Sequence, residues 1–250
     1  MMTFAIFDDP TPRILPAGHT HVWLAETAAL QTPELLAAYQ ALLSPEECEQ
    51  HRRFRFETNR HEYLVTRALV RWVLSFYRDV EPEAWRFERT SFGQPYVSAP
   101  TGTVPHFSLS NADGLVACAV SDDSVGVDVE KTSRGAEVLD LASSVFSPAE
   151  QGDLMALAED LRPLRAIQLW TLKEAYLKAL GTGLSTPLQS FSLAFGPETI
   201  SLHSPLPDRQ EDWRLATGEI GLHQMGVACR RTGNTDRTIK IRRTVPLVRW

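Results

Sequence analysis

Val125-Gly126-Val127-Asp128-Val129-Glu130-Lys131 alternates apolar and other residues with the period of a strand that buries one face. Val125, Val127 and Val129 share that face, so Asp128 and Glu130 stand side by side on the opposite one. Further on, Trp170-Thr171-Leu172-Lys173-Glu174-Ala175-Tyr176-Leu177-Lys178 reads as a helix, with Trp170, Glu174 and Lys178 along one stripe at i, i+4 and i+8. If that stripe faces the strand, the carboxylates of Asp128, Glu130 and Glu174 converge beside one ammonium. Three carboxylates repel one another unless a divalent cation sits among them, and hard oxygen donors next to a phosphate suit Mg²⁺. Asp128, Glu130 and Glu174 are therefore the candidate metal ligands. Taken singly, each motif also fits a charged strand face or helix face in water.

The bulk of the sequence is that of a globular protein. Its 250 residues are 43% hydrophobic and 22% charged, with length enough for one large domain or two small ones. No apolar run approaches the roughly eighteen residues that suggest a membrane span. The first residues, with Asp8, Asp9 and three prolines, do not resemble a secretory signal. Cys48, Cys118 and Cys229 are odd in number and scattered, which argues against a disulfide framework or a zinc site and for a cytoplasmic protein. The net charge of −6 does not suggest a nucleic-acid binder. Over residues 230–250, however, seven basic residues face one acid, a tail expected to be a solvated or partner-facing edge.

The chain repeats itself. Leu43-Ser44-Pro45-Glu46-Glu47 and Phe146-Ser147-Pro148-Ala149-Glu150 both carry a Ser cap, Pro at the first helical position and Glu in the first turn. His61-Glu62-Tyr63-Leu64 echoes Lys173-Glu174-Ala175-Tyr176-Leu177, and Leu115-Val116-Ala117-Cys118 echoes Gly226-Val227-Ala228-Cys229. The pattern predicts a long helix over 57–77 and helices near 136–145, 148–158 and 164–180. Strands are expected near 20–24, 85–88, 104–109, 115–120, 191–195, 199–202, 213–216 and 224–229, with a turn at Asn111-Ala112-Asp113-Gly114. The polar Ser121-Asp122-Asp123-Ser124 marks a boundary, giving an N-terminal lobe 1–122 and a C-terminal lobe 123–250. The fold class is α+β, each lobe a helix layer on a small antiparallel sheet.

In this order and spacing, G-V-D-V-E-K, F-S-P-A-E and W-T-L-K-E-A-Y-L-K-A-L-G-T-G-L resemble the 4′-phosphopantetheinyl transferase superfamily, in its monomeric, two-lobed type. The resemblance implies a pseudo-twofold fold. It also implies Mg²⁺-dependent transfer of phosphopantetheine from coenzyme A to a serine of an acyl or peptidyl carrier protein. It assigns Asp128, Glu130 and Glu174 to the metal and Glu174, Lys178 and Asp128 to catalysis, Glu174 as ligand or as general base. Lys178 would hold a phosphate oxygen.

On the coenzyme side the chain departs from the pattern. Ser108-Leu109-Ser110-Asn111 stands where the family reads N-[IL]-S-H, and Gly93-Gln94-Pro95 where it reads G-K-P. Glu47 and Gln50 occupy places where basic residues often contact the nucleotide. The coenzyme-binding set is then Arg53, Arg89, Gln94, Ser110, Asn111 and Lys178, with Arg52 as further charge. Phe146 and Leu184 are candidate anchors for the carrier protein, and neither nucleic acid nor membrane is expected as a partner. A non-catalytic binder of coenzyme A or of carrier proteins is the alternative reading. An unrelated phosphotransferase fits poorly, since no Gly-rich phosphate loop occurs.

Overall fold

The sequence predicts a duplicated chain, and the order of elements follows that prediction. The computed structural model describes residues 13–204, 212–231 and 237–248. The first half runs β1 (His19–Glu26), α1 (Pro33–Ala41), α2 (Pro45–Arg53), α3 (Glu57–Tyr77), the pair β2 (Arg86–Arg89) and β3 (Pro95–Ala99), and the hairpin β4 (His106–Ala112) and β5 (Leu115–Ser121). The second half runs β6 (Val125–Lys131), α4 (Gly135–Asp140), α5 (Ala142–Val145), α6 (Pro148–Ala156) and α7 (Arg162–Leu180). It continues through the pair β7 (Ser192–Phe195) and β8 (Ile200–His203), the hairpin β9 (Trp213–Ile220) and β10 (His223–Arg230), and last β11 (Thr238–Arg243). The antiparallel run β1-β5-β4 of the four-stranded sheet matches the antiparallel three-stranded sheet β6-β10-β9, and each half carries its own small two-stranded sheet. The result is an α+β fold of two pseudo-equivalent halves.

The two Ser-Pro helix starts behave alike. Ser44 with Glu47 and Ser147 with Glu150 form full capping boxes, each satisfying backbone donors at a helix start. Each capping Glu then ties its short helix to the long one. Glu47 Oε2 pairs with Arg71 Nη2 of α3 at 2.6 Å, and Glu150 Oε2 with Lys173 Nζ of α7 at 2.8 Å.

Three apolar clusters hold the fold together. One lies under α3, with Trp23, Leu69, Val73 and Trp85, and a second surrounds α7, with Ile167, Leu172, Tyr176 and Trp213. The third joins the two sheets: Val22, Leu24, Ala117 and Ala119 meet Val125, Val127, Val129 and Val227. The three valines of the opening strand are thus inward, as their alternation requires. Fully burying a side chain of this size is worth about 1.5–3 kcal/mol, so this shared layer binds the sheets firmly.

Several expectations need correction. The basic tail is not simply a solvated edge: β11 lies parallel to β1, with Val22 opposite Ile241, and Ile241, Arg237 and Arg242 are buried. Arg249, also of that tail, lies outside the described residues. Phe146 is fully buried in the α7 cluster and is a core residue, not an anchor for a partner. The side chain of Leu184 lies outside the described residues. Helix α1, capped by Thr32, and strand β3 were not expected. Among the described residues no helix is long and apolar enough to cross a membrane.

Candidate active site

The seam between the two sheets carries the chemistry. Strand β4 places Ser108 and Ser110 against β6, and their hydroxyls accept from Val127 N at 3.1 Å and Val129 N at 3.2 Å. Ser110 Oγ also donates to Asp128 Oδ1 at 2.9 Å, which fixes that carboxylate at the join. From α7, Lys178 Nζ reaches Leu109 O of β4 (3.3 Å), Val127 O of β6 (3.1 Å) and Asp128 Oδ1 (2.7 Å). An ammonium has three donors, so Lys178 has committed all of them and fastens the two sheets to the helix.

Helix α7 sits this deep because two strands offer it glycine. A Cβ at Gly226 would come within 2.5 Å of the Thr171 backbone, and one at Gly126 would overlap Ala175 O. Gly226 pairs with Asp128 in the ladder, and Gly126 precedes Asp128 by two residues. The close approach that these glycines permit therefore sets how near Glu174 and Lys178 come to Asp128.

Asp128 is buried, and its Oδ2 has no hydrogen-bond partner. Such an orphaned acceptor is costly unless something neutralises it. Burial pushes the Glu174 carboxyl above the usual range, and the Asp128 charge pushes it further. Lys178 opposes that rise and Glu130 adds to it. Glu130 Oε1 itself pairs with Arg134 Nη1 at 2.6 Å. Asp128 and Glu130 thus both act on Glu174, yet among the described residues no three His, Cys, Asp or Glu side chains are placed to hold a metal ion together. The all-oxygen donor set and the unpartnered Asp128 Oδ2 fit a hard divalent cation.

The remaining candidates have other partners. Gln94 Nε2 donates to Lys178 O at 3.0 Å, so it secures the end of α7. Arg89 Nη1 donates to Gly93 O of its own turn at 2.7 Å. Arg52 and Arg53 are exposed and pair with Glu49 at 2.7 and 3.3 Å. Asn111 Nδ2 donates to Glu62 Oε2 at 3.0 Å. Asn111 and Arg89 line a cavity of about 620 Å³ beside the seam, together with Glu46, Glu47, Glu62 and Glu88. Arg53, Gln94, Ser110 and Lys178 do not line it. The sequence reading missed the contribution of α3 to this cavity, through Glu62, Tyr63 and Arg67. The internal echo that sets Glu62 against Glu174 was the available signal.

Residues 124–228 match the family described as 4′-phosphopantetheinyl transferase superfamily, and residues 31–123 match 4′-phosphopantetheinyl transferase, N-terminal. A 4′-phosphopantetheinyl transferase of Bacillus subtilis is 33% identical over 70% of this chain and 81% of its own. The 4′-phosphopantetheinyl transferase Sfp of Bacillus subtilis (strain 168) is 32% identical over 73% of this chain and 79% of its own. The 4′-phosphopantetheinyl transferase HetI of Nostoc is 31% identical over 75% and 79%.

Proposed function

The chain belongs to the 4′-phosphopantetheinyl transferase superfamily, and we propose that it performs that family's reaction at the seam of its two sheets. Phosphopantetheine passes from coenzyme A to a serine of an acyl or peptidyl carrier protein. The serine oxygen bonds to the β-phosphorus, the bond from that phosphorus to the bridging oxygen breaks, and adenosine 3′,5′-bisphosphate leaves. The serine proton must go to a base, and the reacting groups must be held in line.

The observation that carries this reading is Asp128 Oδ2, buried and unpartnered beside Lys178, with Glu174 near enough to feel the charges of Asp128, Lys178 and Glu130. Asp128 and Glu130 would hold Mg²⁺, with Glu174 adjoining. When bound, Mg²⁺ would neutralise the pyrophosphate charge. Glu174 is the carboxylate whose charged form burial disfavours, which suits it to accept a proton. Lys178 fixes Asp128 and keeps positive charge beside the phosphates. Ser110 orients Asp128 from the other sheet.

The lobes are 1–122 and 123–250, with β11 crossing back to the first sheet. Each lobe supplies one wall of the seam, which supports a monomer. Three free cysteines support a cytoplasmic setting. The test is incubation with coenzyme A, Mg²⁺ and a panel of apo-carrier proteins, read by intact mass. Addition of one phosphopantetheine to at least one carrier is expected. Unmodified carriers throughout, with coenzyme A still bound, would leave the non-catalytic binder.

A further inference from the structure

The cavity beside the seam bears on which form of the co-substrate the protein prefers. It adjoins the reaction centre through Asn111, the residue after Ser110, which holds Asp128. At about 620 Å³ it falls in the ordinary range for small-molecule sites. With the pyrophosphate at Asp128, Glu130 and Glu174, the next group along the co-substrate is the ribose, and the purine follows. Phe54, Tyr63 and Phe87 line the cavity and give it apolar aromatic surface against which a purine can pack.

Two polar groups in its wall point to the ligand. Glu62 is clamped by Gly114 N at 2.8 Å and Asn111 Nδ2 at 3.0 Å, both neutral donors. No cation pairs with Glu62 among the described residues, and the carboxylate has lone pairs left to accept hydroxyl groups. Arg67 is more than nine-tenths buried, and its Nε makes no hydrogen bond. Its charge is set against Glu47, 3.7 Å away. A nucleoside with free ribose hydroxyls supplies donors for Glu62 and acceptors for Arg67. A carboxylate in a nucleotide pocket selects a ribose hydroxyl, whereas a phosphorylated ribose calls for an arginine; here Glu46, Glu47, Glu62 and Glu88 outnumber the cavity's Arg67 and Arg89. A dianionic phosphate on the ribose would be set against the Glu62 charge.

Resting on the proposed function, we infer that this cavity receives the nucleoside with its 3′-hydroxyl free, so that 3′-dephospho-coenzyme A binds in preference to coenzyme A. The experiment is calorimetric titration of the full chain with each compound at saturating Mg²⁺, repeated with Glu62→Gln. The unmodified protein should bind 3′-dephospho-coenzyme A about tenfold more tightly, since like-charge juxtaposition is costly. Glu62→Gln should bring the two affinities within about twofold. Equal or tighter binding of coenzyme A by the unmodified protein would overturn the inference, whatever the variant does. So would a preference that survives Glu62→Gln in a protein that melts as the unmodified one does. Apo-carrier conversion measured alongside separates the two readings: absence of transfer from either compound counts against the transferase, while the affinity ratio still decides the cavity.

Discussion

Replacing Gly226 by Ala tests whether the depth of α7 sets the catalytic geometry. The added Cβ would lie 2.5 Å from Thr171 C and O, and ordinary van der Waals contact begins at 3.4 Å. Helix and strand must therefore part by roughly 0.9 Å, because the obstructing atoms are backbone and cannot turn aside. Overpacking of this kind costs about 1–3 kcal/mol, which lowers Tm by about 2–12 °C in a chain of this size. The larger effect falls on turnover. Glu174 and Lys178 follow Thr171 on the same helix, and Asp128 is the ladder partner of Gly226, so the displacement enters directly between them. A misplacement near 1 Å can cost about 10²-fold in rate. The assays are thermal unfolding by circular dichroism and kcat/KM for apo-carrier conversion. Coenzyme A affinity should change less than kcat/KM, since the cavity beside the seam is built on α2, α3, β2, β3 and β4 and not on α7. A variant with unmodified Tm and kcat/KM would refute the argument. A lowered Tm with unchanged kcat/KM would show that the close approach serves packing alone.

Other outcomes follow from the same geometry. Glu174→Gln should stabilise the metal-free protein at neutral pH. The folded-state pKa of Glu174 is raised, so its contribution to stability falls as pH rises through and above the usual glutamate range, and the variant's Tm should be flatter there. Glu150→Ala leaves Lys173 buried without its counter-charge, with both side chains only 1% exposed, and should cost about 3–5 kcal/mol in urea unfolding. Paired with Lys173→Met, the loss should be partly recovered, and strict additivity would contradict the pairing. Lys178→Met takes a donor from Leu109 O and Val127 O and leaves Asp128 Oδ1 with Ser110 Oγ alone, so urea unfolding should show a loss of about 1–3 kcal/mol together with abolished transfer.

Much of this architecture was legible because it is local. The valine alternation placed β6 and its inward face, the 3.6-residue period gave α3 over Glu57–Tyr77, and both Ser-Pro-x-Glu starts formed their capping boxes. Strand β11 was not legible because Thr238-Ile239-Lys240-Ile241-Arg242-Arg243 offers only two apolar residues, and its pairing with β1 joins segments more than two hundred residues apart. Pro95, which lacks a ladder donor, disguised β3. At the site, periodicity indicated which residues share a face but not their partners. Lys178 was expected to be available to a phosphate, and its three donors are taken by atoms 50 to 69 residues away. Gln94 and Asn111 were read by position against a family pattern, whereas each holds another part of this chain: the end of α7 in one case, Glu62 in the other. The cavity side of α3 went unread because Glu62 and Arg67 look alone like a solvated helix face and Tyr63 like part of the apolar stripe.

The central claim is that the carboxylates at the seam carry out the transfer. Conversion of one responsive apo-carrier, followed by intact mass at saturating coenzyme A and Mg²⁺, tests it with unmodified protein, Asp128→Ala and Glu174→Gln side by side. The account predicts conversion by the unmodified protein, none detectable with Asp128→Ala, and a rate lower by about 10²–10⁴-fold with Glu174→Gln. Near-unmodified turnover by either variant, with the protein folded, would contradict it.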